Sequence, residues 1–349
     1  MKFHVDHIDG RLAYIKQRPY HYFGGTSYLG IPYLKEFKEI LKDKLDHYGT
    51  SYGSSRHSNF RLSIYEEAEA YLSRWSGSET CLTVSSGYLA GQMLSTSLQE
   101  EGHPLYYAPQ AHTAMYRAQA KPFTSWKQLQ EELQDYLSRK QAKAPVLFMD
   151  SLDNTGAGYP DFPNLEKLPM DKIILVLDDS HGIGVIGEGG KGIYNTAASL
   201  NPLELISCAS LNKAMGIPGG IILGNRARTE KLRNTPFFSG ASPIPPAYLA
   251  AYLSAPALYQ QQYLKLQEQI SYFESLLPPG HPFTRIAGHP VYTFEAGALA
   301  EHLFLAGILT TYFPYSGSGG GQNGRLVLNA NHTPGDIDQL IVALQNYSK

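Results

Sequence analysis

Six short apolar runs, separated by stretches with helical spacing, constrain this 349-residue chain more than any other feature. The runs are Cys81–Val84, Leu105–Ala108, Val146–Met149, Ile173–Leu177, Leu205–Ala209 and Gly220–Leu223. Between them, Tyr88–Gln99, Ala111–Ala118 and Trp126–Arg139 read as helices. A strand that is apolar at consecutive positions must be covered on both faces, and the alternating helices supply that cover. The pattern is therefore an α/β fold built on a mostly parallel sheet. Upstream, Leu34, Phe37, Ile40, Leu41 and Leu45 share one helical face and predict a helix over Pro32–His47, stopped at Gly49. A second helix is predicted over Ser63–Ser76.

The pattern changes after Pro236-Phe237-Phe238-Ser239-Gly240. A long helical segment over Pro245–Leu277 leads to strands near Val291–Glu295 and Arg325–Asn329, then to a last helix from Pro334. Residues 316–321, Ser-Gly-Ser-Gly-Gly-Gly, read as a flexible loop inside this part. The expected organisation is an N-terminal segment (1–45) packing with a small α+β domain (246–349), and a large α/β domain (46–245) between them.

Composition narrows the function class. With 43% hydrophobic and 17% charged residues and a formal net charge of −2, the chain has no electrostatic footprint for nucleic acid or an anionic membrane. The N-terminus lacks the apolar run of a secretory leader, and no stretch approaches the ~18 apolar residues of a membrane span. A cytoplasmic protein is expected. Cys81 and Cys208 lie in strand-like runs and read as reduced core residues; no metal site is expected. The 25 tyrosines suggest amphipathic surfaces such as a subunit interface.

In open parallel sheets, ligands collect at the carboxyl ends of the strands, and four such ends carry suggestive residues. Val84-Ser85-Ser86-Gly87-Tyr88 runs through glycine into a helix, whose first N–H groups suit a phosphate. Ile173–Leu177 ends in Asp178-Asp179-Ser180-His181; charges at the end of a buried strand are costly unless they have a task. Leu205–Ala209 leads to Ser210-Leu211-Asn212-Lys213, where partial burial would make the lysine a competent amine nucleophile and base. Val146–Met149 ends in Asp150, followed by a polar turn through Asn154. A phosphate turn, a strand-end carboxylate and a lysine one strand later are what pyridoxal phosphate requires: a cradle, a carboxylate for the ring nitrogen and a Schiff-base lysine. A dinucleotide-binding fold would instead show an early glycine fingerprint, and none is present.

The chain resembles the α-oxoamine synthases, the pyridoxal-phosphate group that contains 8-amino-7-oxononanoate synthase and glycine C-acetyltransferase. The resemblance runs from Tyr28-Leu29-Gly30 to His332-Thr333 and is carried above all by the run from Asp178 to Gly192 and by Ser210-Leu211-Asn212-Lys213-Ala214. It implies the fold of aspartate aminotransferase and a homodimer with shared active sites. It further implies that Lys213 carries the cofactor and Asp178 meets its ring nitrogen. His181 and Asn154 would lie near the phenolic oxygen, with His112 stacked on the ring. The Ser86-Gly87-Tyr88 turn and Ser210 would hold the phosphate, and Ser239 and Ser242 would reach a phosphate as well, in the partner subunit. Arg325, seven residues before His332, matches the arginine that binds the substrate carboxylate. The chain departs from the group's pattern at the substrate end: Thr26, followed by Ser27, replaces an asparagine, and Tyr65 falls where a histidine is usual.

The implied activity is carbon–carbon bond formation between an amino acid and an acyl-CoA thioester, giving an aminoketone. Lys213 would remove the Cα proton, and His112 would donate a hydrogen bond to the thioester oxygen. Two alternatives stay open at this level: an aminotransferase using the same lysine, aspartate and arginine, and a non-catalytic protein that binds pyridoxal phosphate.

Overall fold

The computed structural model describes residues 3–116, 120–139, 143–152, 162–295, 297–312 and 323–347. The chain opens with β1 (His7–Ile8), β2 (Leu12–Ile15) and β3 (Arg18–Phe23), then α1 (Lys35–Tyr48) and α2 (Ile64–Ser76). The strand–helix alternation follows: β4 (Thr80–Val84), α3 (Gly87–Glu100), β5 (Leu105–Tyr107), α4 (Trp126–Ser138), β6 (Val146–Asp150), β7 (Ile174–Asp178), α5 (Tyr194–Ala198), β8 (Glu204–Ser210) and β9 (Gly220–Gly224). Helices α6 (Arg226–Arg233), α7 (Pro236–Gly240), α8 (Pro246–Leu253) and α9 (Pro256–Leu276) come next. The chain ends with β10 (Thr284–Arg285), β11 (Val291–Glu295), α10 (Ala298–Leu305), β12 (Ile308–Tyr312), β13 (Asn323–Val327) and α11 (Pro334–Gln345).

Strands β4 to β9 form one sheet in the order β4-β9-β8-β7-β6-β5. Strands β5 to β8 are parallel, and β9 runs antiparallel to both of its neighbours. The sheet's central strands are mainly apolar because helices cover both faces: Val146, Phe148, Val176 and Ile206 pack with α3, while Leu147, Leu175 and Leu177 pack with α4. The second sheet has the order β1-β2-β3-β12-β13-β11-β10, so strands from the two ends of the chain share it through the parallel pair β3–β12. Arg11 and His21 clasp this junction by meeting Asp336 on α11 at 2.9 and 2.8 Å.

Two predicted elements differ. Ala111–Ala118 was expected to be α-helical; among its described residues, 111–116, only a single turn of 3-10 helix forms, at Thr113–Met115. The Gln92 side-chain amide donates to the carbonyls of Ala114 and Tyr116, both at 2.8 Å, and so binds acceptors that a continuing helix would use. The segment Pro245–Leu277 is two helices, broken at Ala255, because Pro256 has no N–H and disfavours helical backbone in the residue before it. The predicted loop 316–321 lies outside the described residues.

Candidate active site

The floor of the site is the turn from β4 into α3. Ser86 is extended and caps the helix, its Oγ accepting from Leu89 N at 3.1 Å. A Cβ on Gly87 would fall 2.8 Å from Ser210 Cβ and 2.9 Å from Ser210 N. Glycine alone lets the helix start press against the end of β8. The first-turn N–H groups there have no intrahelical acceptor, and the helix dipole favours an anion at that point. Ser210 is fixed alongside: its N–H donates to Ser180 Oγ at 2.8 Å.

Asp178 and Asp179, adjacent in sequence, do different work. Asp178 ends β7 in register with Asp150 on β6 and Cys208 on β8, and its Oδ1 accepts from Ser180 N at 3.0 Å. Asp179 turns into the protein, accepting from Ser151 Oγ at 2.6 Å and Ile193 N at 2.9 Å. A Cβ on Gly182 or Gly192 would fall 2.1 or 2.2 Å from its oxygens, which explains the glycines that follow it in the sequence. Burial pushes the Asp179 carboxyl up to about 7.

Lys213 lies in the turn after β8, its Nζ 3.0 Å from His181 Nε2. Burial lowers its pKa, opposed by the Asp178 and Asp150 carboxylates. Burial also holds the His181 imidazole well below its ordinary range and lowers that of His112. The His112 backbone N–H donates to Asp150 Oδ1 at 3.2 Å, and its ring Nδ1 accepts from Ala114 N at 3.2 Å, which places the proton of the neutral ring on Nε2.

His112, Asp178, His181, Ser210 and Lys213 line one cavity of about 330 Å³. One wall holds Gly87, Tyr88, His112, Asp178, Ser210 and Lys213. The other brings Gly25 and Thr26, from the turn after β3, with Thr311 and Arg325 from the second sheet, and His181 is also in the lining. Arg325 sits on β13 between Thr293 of β11 and Thr311 of β12. The structure thus gathers nine of the residues singled out from sequence, namely Thr26, Gly87, Tyr88, His112, Asp178, His181, Ser210, Lys213 and Arg325.

The remaining candidates lie elsewhere. Ser86 acts through its helix cap and Ser27 is outside the lining. Ser239 and Ser242 are exposed, away from this cavity, with Ser239 Oγ donating to the Thr235 and Pro236 carbonyls. Asn154 lies outside the described residues. Sequence reasoning gave no role to Tyr28, whose hydroxyl lies 2.7 Å from His181 Nδ1, or to His289, whose Nε2 meets the His181 carbonyl at 3.1 Å. Tyr28 stood within the Tyr-Leu-Gly segment already noted, whereas nothing in the sequence marks His289 or Thr311.

The donor set fits pyridoxal phosphate. A phosphate suits the start of α3 beside Ser210, a ring nitrogen suits Asp178, and an aldehyde suits the Lys213 amine. Among the described residues no group of three or more histidines, cysteines and carboxylates could hold a metal ion, and no helix is long and apolar enough to cross a membrane.

Comparison with known proteins identifies the family and the fold. Residues 33–344 match the family model for aminotransferase class I and II. The 8-amino-7-oxononanoate synthase of Aliivibrio fischeri is 28% identical over 339 residues, covering 92% of this chain and 87% of the relative. That of Thermosipho melanesiensis is 25% identical over 348 residues, covering 93% and 86%. Among solved structures, the serine palmitoyltransferase of Sphingomonas wittichii superposes with a TM-score of 0.79 at 19% identity, covering 96% of this chain and 89% of that one. The 8-amino-7-oxononanoate synthase of Francisella tularensis gives a TM-score of 0.71 at 19% identity, covering 93% and 96%. The fold is that of the pyridoxal-phosphate-dependent transferases, as the resemblance to the α-oxoamine synthases implied. The chain belongs to the aminotransferase class I and II family of pyridoxal-phosphate-dependent enzymes, and its similarity within that family lies with the α-oxoamine synthases.

Proposed function

We propose that the protein is an acyltransferase that joins an amino acid to an acyl-CoA thioester and releases an aminoketone, working as a cytoplasmic homodimer. The observation that carries this reading is the convergence of Lys213, Asp178, His112 and Arg325 on one cavity. The curated relatives named as 8-amino-7-oxononanoate synthases support the same reaction class.

When bound, the cofactor supplies an electron sink for the pair left behind when Cα loses its proton. The chain's own residues do the rest. Asp178, at the end of β7, is placed to accept from a protonated ring nitrogen. Lys213, lowered by burial, is suited to act as a base once its nitrogen is free. Arg325, on the opposite wall, offers a planar two-pronged donor to the amino acid's carboxylate and fixes which Cα bond faces the lysine. His112, with its proton on Nε2, donates to a thioester oxygen as negative charge builds there. Thr26 and Thr311 border the same space and select the amino-acid side chain. Ser239 and Ser242, exposed on their own chain, would complete the partner subunit's phosphate site.

The test is to load the protein with pyridoxal phosphate and titrate it with single amino acids, first alone and then with an acyl-CoA. One amino acid should change the visible spectrum without forming an oxo-acid, and further change should require the acyl-CoA. Oxo-acid formation with the amino acid alone would overturn this reading in favour of transamination.

A further inference from the structure

His181 is held at three points. Its Nε2 lies 3.0 Å from Lys213 Nζ, its Nδ1 lies 2.7 Å from the Tyr28 hydroxyl, and its carbonyl accepts from His289 Nε2 at 3.1 Å. Tyr28 is only 1% exposed, and its ring meets that of His289 edge-on at 5.4 Å. These contacts join residues far apart in the chain around one imidazole. A neutral imidazole carries a single N–H, so whatever Tyr28 does at Nδ1 decides what Nε2 presents to the lysine. Between a phenol and a neutral imidazole, the O–H is the stronger donor and the ring nitrogen the stronger acceptor. The favoured arrangement has the hydroxyl donating to Nδ1.

We propose that Tyr28 is a positioning residue for Lys213: by donating to His181 Nδ1 it keeps the imidazole proton on Nε2, so that the ring donates to the lysine nitrogen. An ammonium has no lone pair with which to accept that bond. The contact therefore favours the free amine, the form that attacks an aldehyde or takes a proton from Cα. Without the hydroxyl, His181 can move its proton to Nδ1 and present a bare Nε2, which accepts from the ammonium and stabilises the wrong form.

The surrounding charges set the balance that this contact tips. Around Lys213, burial and Arg325 on β13 favour the free amine, while Asp178 on β7, Asp150 on β6 and Cys208 on β8 favour the ammonium. Around His181, burial dominates, and Lys213, His289, Arg325 and His112 all add to it, keeping the ring neutral. His289 is itself held down to about 4 by burial. The inference rests on Lys213 as the cofactor-bearing amine and adds the residue that sets its protonation.

Tyr28→Phe removes one oxygen and keeps the ring. Two readouts apply to wild type and variant prepared without cofactor, with Lys213→Ala as the blank. Nitrogen NMR of the His181 imidazole reports the tautomer directly. The rate of pyridoxal-phosphate capture, followed by visible absorbance across pH, reports the protonation midpoint of Lys213. Wild type should carry the proton on Nε2. The variant should shift toward Nδ1, and its capture midpoint should rise by about one pH unit, making capture about tenfold slower near neutrality while leaving the rate at high pH unchanged. A wild-type proton on Nδ1 overturns the proposal even if the variant does not fold. Capture that depends on Lys213 but keeps the same midpoint in Tyr28→Phe removes Tyr28 alone. Wild-type capture no faster than the blank removes the lysine assignment and this inference with it.

Discussion

Replacing Asp179 with asparagine should flatten the pH dependence of this protein's stability. Asp179 is 3% exposed and accepts from Ser151 Oγ and Ile193 N, yet burial outweighs both bonds and raises its carboxyl to about 7. The folded chain thus holds this proton more tightly than the unfolded chain, where an aspartate titrates near 4. The resulting stabilisation is full below about pH 4 and is lost as pH rises through about 7. With each pKa unit worth about 1.4 kcal/mol, the loss across that window is on the order of 4 kcal/mol. Asparagine mimics the protonated acid: its oxygen accepts from Ile193 N while its amide donates to the Ser151 hydroxyl. The assay is urea unfolding of the cofactor-free protein at the two ends of the window, for wild type and Asp179→Asn. Wild type should lose on the order of 4 kcal/mol more than the variant over that range. An equal loss in both proteins would refute the reasoning that burial governs this carboxyl.

Three further outcomes follow from the same geometry. Glu69→Ala removes the acceptor shared by Arg56, Arg233 and Thr83, and should cost about 3–5 kcal/mol, read as a fall in the thermal midpoint. Gly87→Ala forces a Cβ against Ser210, and a misfit of about 1–3 kcal/mol at the phosphate turn should weaken pyridoxal-phosphate binding about tenfold or more in equilibrium dialysis. Arg325→Gln should raise the KM for the amino acid by roughly tenfold or more, as loss of a charged hydrogen bond worth about 1.5–3 kcal/mol predicts, with a smaller change in kcat.

Much of this was legible in the sequence for a physical reason. A charged residue at the end of an apolar strand has nowhere to go but the sheet's carboxyl edge, so Asp178 and Lys213 announced their positions. Arg325 was reached through its spacing to His332 in a recognisable segment. What stayed hidden depends on contacts between distant elements. The pairing of Tyr28 with His181 and the seating of His289 on the His181 carbonyl join the second sheet's neighbourhood to the end of β7, and no local pattern encodes either. The missing helix at Ala111 had a similar cause, since Gln92 on another helix takes the carbonyls it needed. The break before Pro256 was different: that proline was in plain view, inside a stretch read as continuous.

The most direct test of the central claim follows both products of one reaction mixture. Cofactor-loaded protein receives an amino acid and an acyl-CoA, and free thiol and oxo-acid are measured in parallel, with Lys213→Ala alongside. Thiol release that requires both substrates and Lys213, with no oxo-acid, is the predicted result. Oxo-acid formation without thiol release would contradict the account.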